Sequence, residues 1–150
     1  MEGVLVAVHL LAAAVWVGGT VALVFVSVPV VRGLEGEARA RAMRGLGERW
    51  RPIGYGALGV AIVTGIPLVT RDWDDDGSSF HWVAVVKAAL VALLLVVSYL
   101  HNFVLGPRVA RELREGRRDS YRLLQVVGWL SLALTLTVPV LGVALSRLAH

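Results

Sequence analysis

The chain has 150 residues, of which 57% are hydrophobic and only 17% charged, with a mean hydropathy of +0.70 and a net charge of +4. A soluble domain of this length needs far more polar surface to cover its core, so the composition points to the bilayer. There is no cysteine, which excludes disulfides and thiolate metal sites, and the excess arginines lie between apolar blocks, where they require no nucleic-acid partner.

The first block, Gly3 to Val31, has no charged side chain, and His9 is its only titratable group. About 20 apolar residues cross a hydrocarbon core as a helix, so the block predicts a membrane span over 3–31. With no basic residue ahead of it, and with a core longer than a signal sequence uses, it reads as a span and not as a cleavable leader. The linker from Arg32 to Arg51 carries six arginines and three glutamates. Its stretch Ala38–Glu48 has helical composition and is expected to lie along the membrane surface. The second block, 52–70, is uncharged and predicts a second span. The middle linker sets Arg71 against Asp72, Asp74, Asp75 and Asp76. Residues 72–77 match the first half of a calcium loop, D-x-D-x-D-G, but position twelve is Val83 and not a carboxylate. A solvated acidic loop is expected there. The third block predicts a span over 80–107 that contains Lys87 and His101, with Val109–Glu115 continuing the helix past Pro107. A second basic linker, Arg108 to Arg122, again holds six arginines, and the fourth block predicts a span over 122–147. None of the blocks alternates apolar and polar residues as barrel strands do.

The expected fold is therefore all-α, a single membrane domain of four transmembrane helices. Positively charged loops stay in the cytoplasm, which puts both arginine-rich linkers inside and both termini outside. The expected location is the cytoplasmic membrane of a prokaryote, with anionic lipid attracted to the basic linkers.

Helices in lipid associate through small residues. The second span offers Ala57, Ala61 and Gly65 at four-residue spacing, a stripe that suits a homodimer as well as packing within the chain. The fourth offers Gly128, Ser131, Thr135, Pro139, Gly142 and Ser146. The first carries Ala12, Ala13, Trp16 and Gly19 on the His9 face. No internal repeat stands out.

Ionisable groups inside a span are costly and mark functional positions. His9 and Lys87 each lie about two turns in from the outer side, and His101 lies near the inner end. Lys87, Val91, Leu94, Ser98, His101 and Asn102 form one helix face, which implies that this face turns into the bundle. His9 and His101 lie at opposite depths, so they are not expected to share one small centre. An outer centre draws on His9 with Lys87 or His81, and His150 as a further candidate. An inner one draws on His101 and Asn102, with Tyr99 close by.

Two stretches carry a family resemblance. His9-Leu-Leu-Ala-Ala-Ala-Val-Trp16-Val-Gly18-Gly19, and the run from Lys87 through Tyr99-Leu-His101-Asn102 to Pro107-Arg108, resemble the membrane domain of the copper-resistance protein D (CopD) family. More loosely they resemble the HemJ-type protoporphyrinogen oxidases. The first resemblance implies copper handling with His9 as a ligand. The second implies haem b, with His9 as an axial ligand and His81, Lys87 or an open position opposite. Copper(I) prefers sulfur, and the chain's two methionines, Met1 and Met43, lie at the ends of or between the blocks. Haem needs only an axial ligand and an apolar slot.

The favoured reading is thus a membrane-embedded metal-centre protein, with haem b, in electron transfer or porphyrin redox chemistry with a redox partner. Its cofactor-binding residues would be His9, Trp16, Lys87 and His101, and its metal ligands would come from His9, His81 and His101. CopD-like copper handling or transport at the outer face is the alternative. A cofactor-free structural or accessory subunit is the third reading.

Overall fold

The structure is a computed structural model, and it describes residues 2–71, 78–117 and 119–148. The acidic run 72–77 and His150 lie outside the described residues. Four helical rods account for nearly all of the described chain, with no strand among the described residues. The first is α1 (Glu2–Ala22), continued through a π-helical turn (Leu23–Ser27) into α2 (Val28–Arg32). The second is α3 (Gly36–Arg71). The third is α4 (Ser78–Tyr99), continued through a π-helical turn (Leu100–Leu105) into α5 (Gly106–Arg114). The fourth is α6 (Tyr121–Leu148). All four are long and apolar enough to cross a membrane. The chain is an all-α four-helix membrane bundle.

The second rod begins earlier than its hydropathy indicates. Residues 38–48 do not form a separate surface helix; they are the opening turns of α3, which runs unbroken for 36 residues. At 1.5 Å per residue that is about 54 Å, well over the roughly 30 Å of a hydrocarbon core. The run is rich in alanine, arginine and glutamate, and it carries the helix past Pro52 instead of stopping there. Likewise the third rod continues past Pro107 to Arg114, as its composition predicted.

The rods run up, down, up and down. Both described chain ends therefore lie at one end of the bundle (the terminal end), and both arginine-rich linkers at the other (the basic end). α1 packs along α3, and α4 along α6. These two hairpins join through α1 against α6 and, at the basic end, α5 against α3. The core between them holds Trp16, Leu58, Leu94, Val97 and Leu134. A smaller cluster near the terminal end sets Phe80 and Ala84 against Val69 and Val83. Large apolar side chains such as Val4, Val63, Trp82 and Val140 point outward, as a lipid-facing surface requires.

The hairpin α4/α6 has a constant register. Lys87 faces Gly142, Ser98 faces Ser131 and His101 faces Gly128. In each pair the two numbers add to the same total, as in antiparallel helices without slip. Leu94 and Thr135, both 1% exposed, share that level. The small and hydroxyl residues predicted to line α6 are thus the ones that receive the polar face of α4.

At the basic end Glu112 closes the last connection. It accepts from the Ser120 amide at 2.8 Å and the Ser120 hydroxyl at 2.6 Å, and it pairs with Arg108 at 3.0 Å. Ser120 in turn accepts the Leu124 amide on its carbonyl, so this cluster ties the end of α5 to the first turn of α6.

Candidate functional site

Near the terminal end, α1 presents His9 to α3. The ring lies over Gly65, where a Cβ would stand 3.0 Å from His9 Cε1. A side chain at this position would press on the imidazole, which would have to give by a few tenths of an ångström. The stripe Ala57, Ala61, Gly65 is therefore used within the chain: Ala57 packs on the core, and Gly65 seats the histidine.

His9 Nδ1 lies 3.1 Å from Thr64 Oγ1. The Thr64 hydroxyl has one proton, which it donates to the Val60 carbonyl at 2.7 Å. It is thus an acceptor toward His9, and Nδ1 carries the ring proton. Nε2 is left with its lone pair. Metal-ligating histidines are prepared in this way, one nitrogen held by a fixed acceptor and the other available.

Lys87 lies at the same level on α4. Its Nζ lies against α6 at Gly142, 3.2 Å from where a Cβ would stand. His81 lies six residues before Lys87, edge-on to Phe80 with centroids 6.1 Å apart. The described residues contain no group of three His, Asp or Glu side chains that could hold a metal ion.

Trp16 is two turns deeper and 5% exposed. Its indole N–H donates to Thr135 Oγ1 at 3.2 Å, which links the two hairpins at mid-depth. Its ring packs toward Trp50 and Tyr55, at centroid distances of 6.2 and 5.9 Å.

Toward the basic end, His101 and Asn102 part company. The His101 ring faces Gly128 of α6, and its Nδ1 is buried without a hydrogen-bond partner. Asn102 faces α3, donating to Tyr55 Oη at 3.4 Å and to the Ser98 carbonyl at 2.9 Å. Tyr99 is exposed and stacks on Phe103, with centroids 5.2 Å apart.

Three residues of these sites escape a reading by sequence. Thr64 is an ordinary span hydroxyl until His9 is seen beside it. Tyr55 looks like an interfacial aromatic. Arg51 counts as one linker arginine among six, yet its Nη2 donates to the Asn102 carbonyl at 2.5 Å and its guanidinium lies 4.8 Å from the Phe103 ring centre. The signal for Arg51 was Pro107. In the π turn the Gly106 amide bonds the His101 carbonyl, and Pro107 has no N–H, so the Asn102 carbonyl has no helical partner.

The family model for a domain of unknown function (DUF4149) matches residues 11–118. The chain belongs to the DUF4149 family. No curated protein and no solved structure matches it. The DUF4149 match takes in Trp16, Arg51, Tyr55, Thr64, Lys87, His101 and Asn102. It begins two residues after His9 and ends ahead of the fourth span.

Proposed function

We propose that this protein is a membrane-embedded metal-centre protein in which His9 is the chief ligand and haem b the resident group, serving electron transfer or porphyrin redox chemistry. One observation carries the reading: the Thr64 hydroxyl, its own proton given to the Val60 carbonyl, holds Nδ1 of the His9 ring, leaving Nε2 as an electron-pair donor inside the bilayer. The donor set, one imidazole with its Nδ1 held by Thr64, fits a group that needs a single strong protein ligand. It suits copper less well, because copper(I) prefers sulfur and the chain has no cysteine and only two methionines, Met1 and Met43. When bound, haem iron supplies one-electron redox chemistry. The chain's own residues fix the imidazole's tautomer through Thr64, shape its seat at Gly65 and set the Lys87 amine against Gly142 of α6.

In this reading the protein lies in a prokaryotic cytoplasmic membrane. The basic end faces the cytoplasm, where the arginines of α3 and α5 meet anionic lipid, and the His9 site lies toward the outer face. A redox partner docks from one of the two surfaces.

The test is an absorption spectrum of the detergent-purified protein, expressed with haem supplied, before and after dithionite. A Soret band that sharpens on reduction and is lost in His9→Ala supports the reading. A colourless protein that instead retains one equivalent of copper moves the function to copper handling at the outer face. A colourless, metal-free protein makes it a structural or accessory subunit.

A further inference from the structure

The two hairpins are built alike. His9 and Lys87 occupy corresponding places, each two turns into an odd-numbered span and each seated on a glycine of the even-numbered span that follows, Gly65 or Gly142. The match extends along the rods. An offset of 78 residues (87 − 9) carries His9 to Lys87, buried Trp16 to buried Leu94, Pro29 to Pro107 and buried Val31 to buried Val109. Both spans also break into a π-helical turn at the same place, ending two residues before the proline: Leu23–Ser27 before Pro29, and Leu100–Leu105 before Pro107. In the even-numbered spans an offset of 77 (142 − 65) carries Gly65 to Gly142 and buried Leu58 to buried Thr135.

Spans one and three run in the same direction, so such hairpins are related by a two-fold axis along the membrane normal. Membrane proteins built from repeats place their ligand sites between the repeats. The Trp16 to Thr135 hydrogen bond holds the hairpins level, which brings His9 and Lys87 to one depth on either side of that axis.

We propose that the chain is a tandem repeat of one helical hairpin, and that His9 and Lys87, the equivalent residues of the two repeats, are the two halves of one binding site on the axis between them. The site takes one ligand that offers an electron-pair acceptor to the imidazole and an anionic group to the amine. A metalloporphyrin, with its iron and its carboxylates, has that chemistry. The ligand rests on the haem reading above; the paired seats rest on the register alone.

Two measurements separate these. The first titrates haemin into the detergent-purified protein and three variants: His9→Lys, Lys87→His, and the exchange of both. Equivalent seats predict that His9→Lys weakens binding about tenfold or more, and that the exchange restores it by placing an imidazole at the second seat. An exchange variant as weak as His9→Lys overturns the proposal. The second uses the natural absence of cysteine. His9→Cys/Lys87→Cys is treated in membranes with a short bifunctional thiol reagent, beside His9→Cys/His101→Cys as control. Cross-linking of the first pair alone is expected. Failure of the first pair overturns the paired seats themselves, whereas haemin-silent protein that still cross-links overturns the haem reading and the ligand assigned here.

Discussion

Arg51 and Asn102 meet across two helices: the Arg51 guanidinium donates to the Asn102 backbone carbonyl at 2.5 Å. The cause is covalent, since Pro107 cannot supply the amide that this carbonyl would otherwise find. Removing the donor leaves a polar group unpaired in an apolar setting. Arg51→Met should therefore destabilise the bundle by about 1–3 kcal/mol. In a Pro107→Ala background the amide returns, and Arg51→Met should cost measurably less. Unfolding of all four proteins in mixed micelles closes this double-mutant cycle, and zero coupling would refute the link between Pro107 and Arg51.

Two adjacent glycines in α1 should behave oppositely. A Cβ on Gly19 would overlap the Trp50 ring, whereas one on Gly18 meets nothing within 4 Å. Gly19→Ala should cost about 1–3 kcal/mol through overpacking. Gly18→Ala should be neutral or slightly stabilising, because alanine is the better helix former by about 1 kcal/mol. Thermal melting in detergent reads both.

Thr64 acts through His9. Thr64→Val keeps the shape and removes the acceptor for Nδ1–H, so the ring loses its fixed tautomer. Haem affinity should fall about 10–100-fold with the fold intact. Thr64→Ser should recover most of it. Equal binding by the valine variant and the parent protein would remove Thr64 from the site.

Glu112 should matter more than any other acid in the basic linkers. It takes two hydrogen bonds from Ser120 and one from Arg108, whereas Glu37 pairs with Arg41 in the open. Glu112→Ala should loosen the α5–α6 connection and speed protease cleavage between Arg114 and Tyr121, while Glu37→Ala leaves cleavage unchanged. The rate of that cut in right-side-out and inverted vesicles also reports which side the basic end faces.

The sequence alone determined the four spans, because lipid admits only long apolar helices and the charges had to collect between them. It also determined that a polar face runs along the third span and a small-residue face along the fourth, each to be turned inward, since both follow from helical periodicity. His9 and Lys87 stood out for the same reason: an ionisable group in an apolar run is visible without knowing its neighbours. Tertiary structure decided what hydropathy does not encode, namely which helices pair and in what register. That register put Thr64 against His9 and Arg51 against Asn102, sent His101 and Asn102 to different helices, and showed α3 reaching back to Gly36. It also exposed the likeness of the two hairpins. Residues such as His9 and Lys87 differ in chemistry while sharing a position, so the repeat survives in packing, in backbone turns and in a few shared residues such as Pro29 and Pro107, too few to stand out in the sequence.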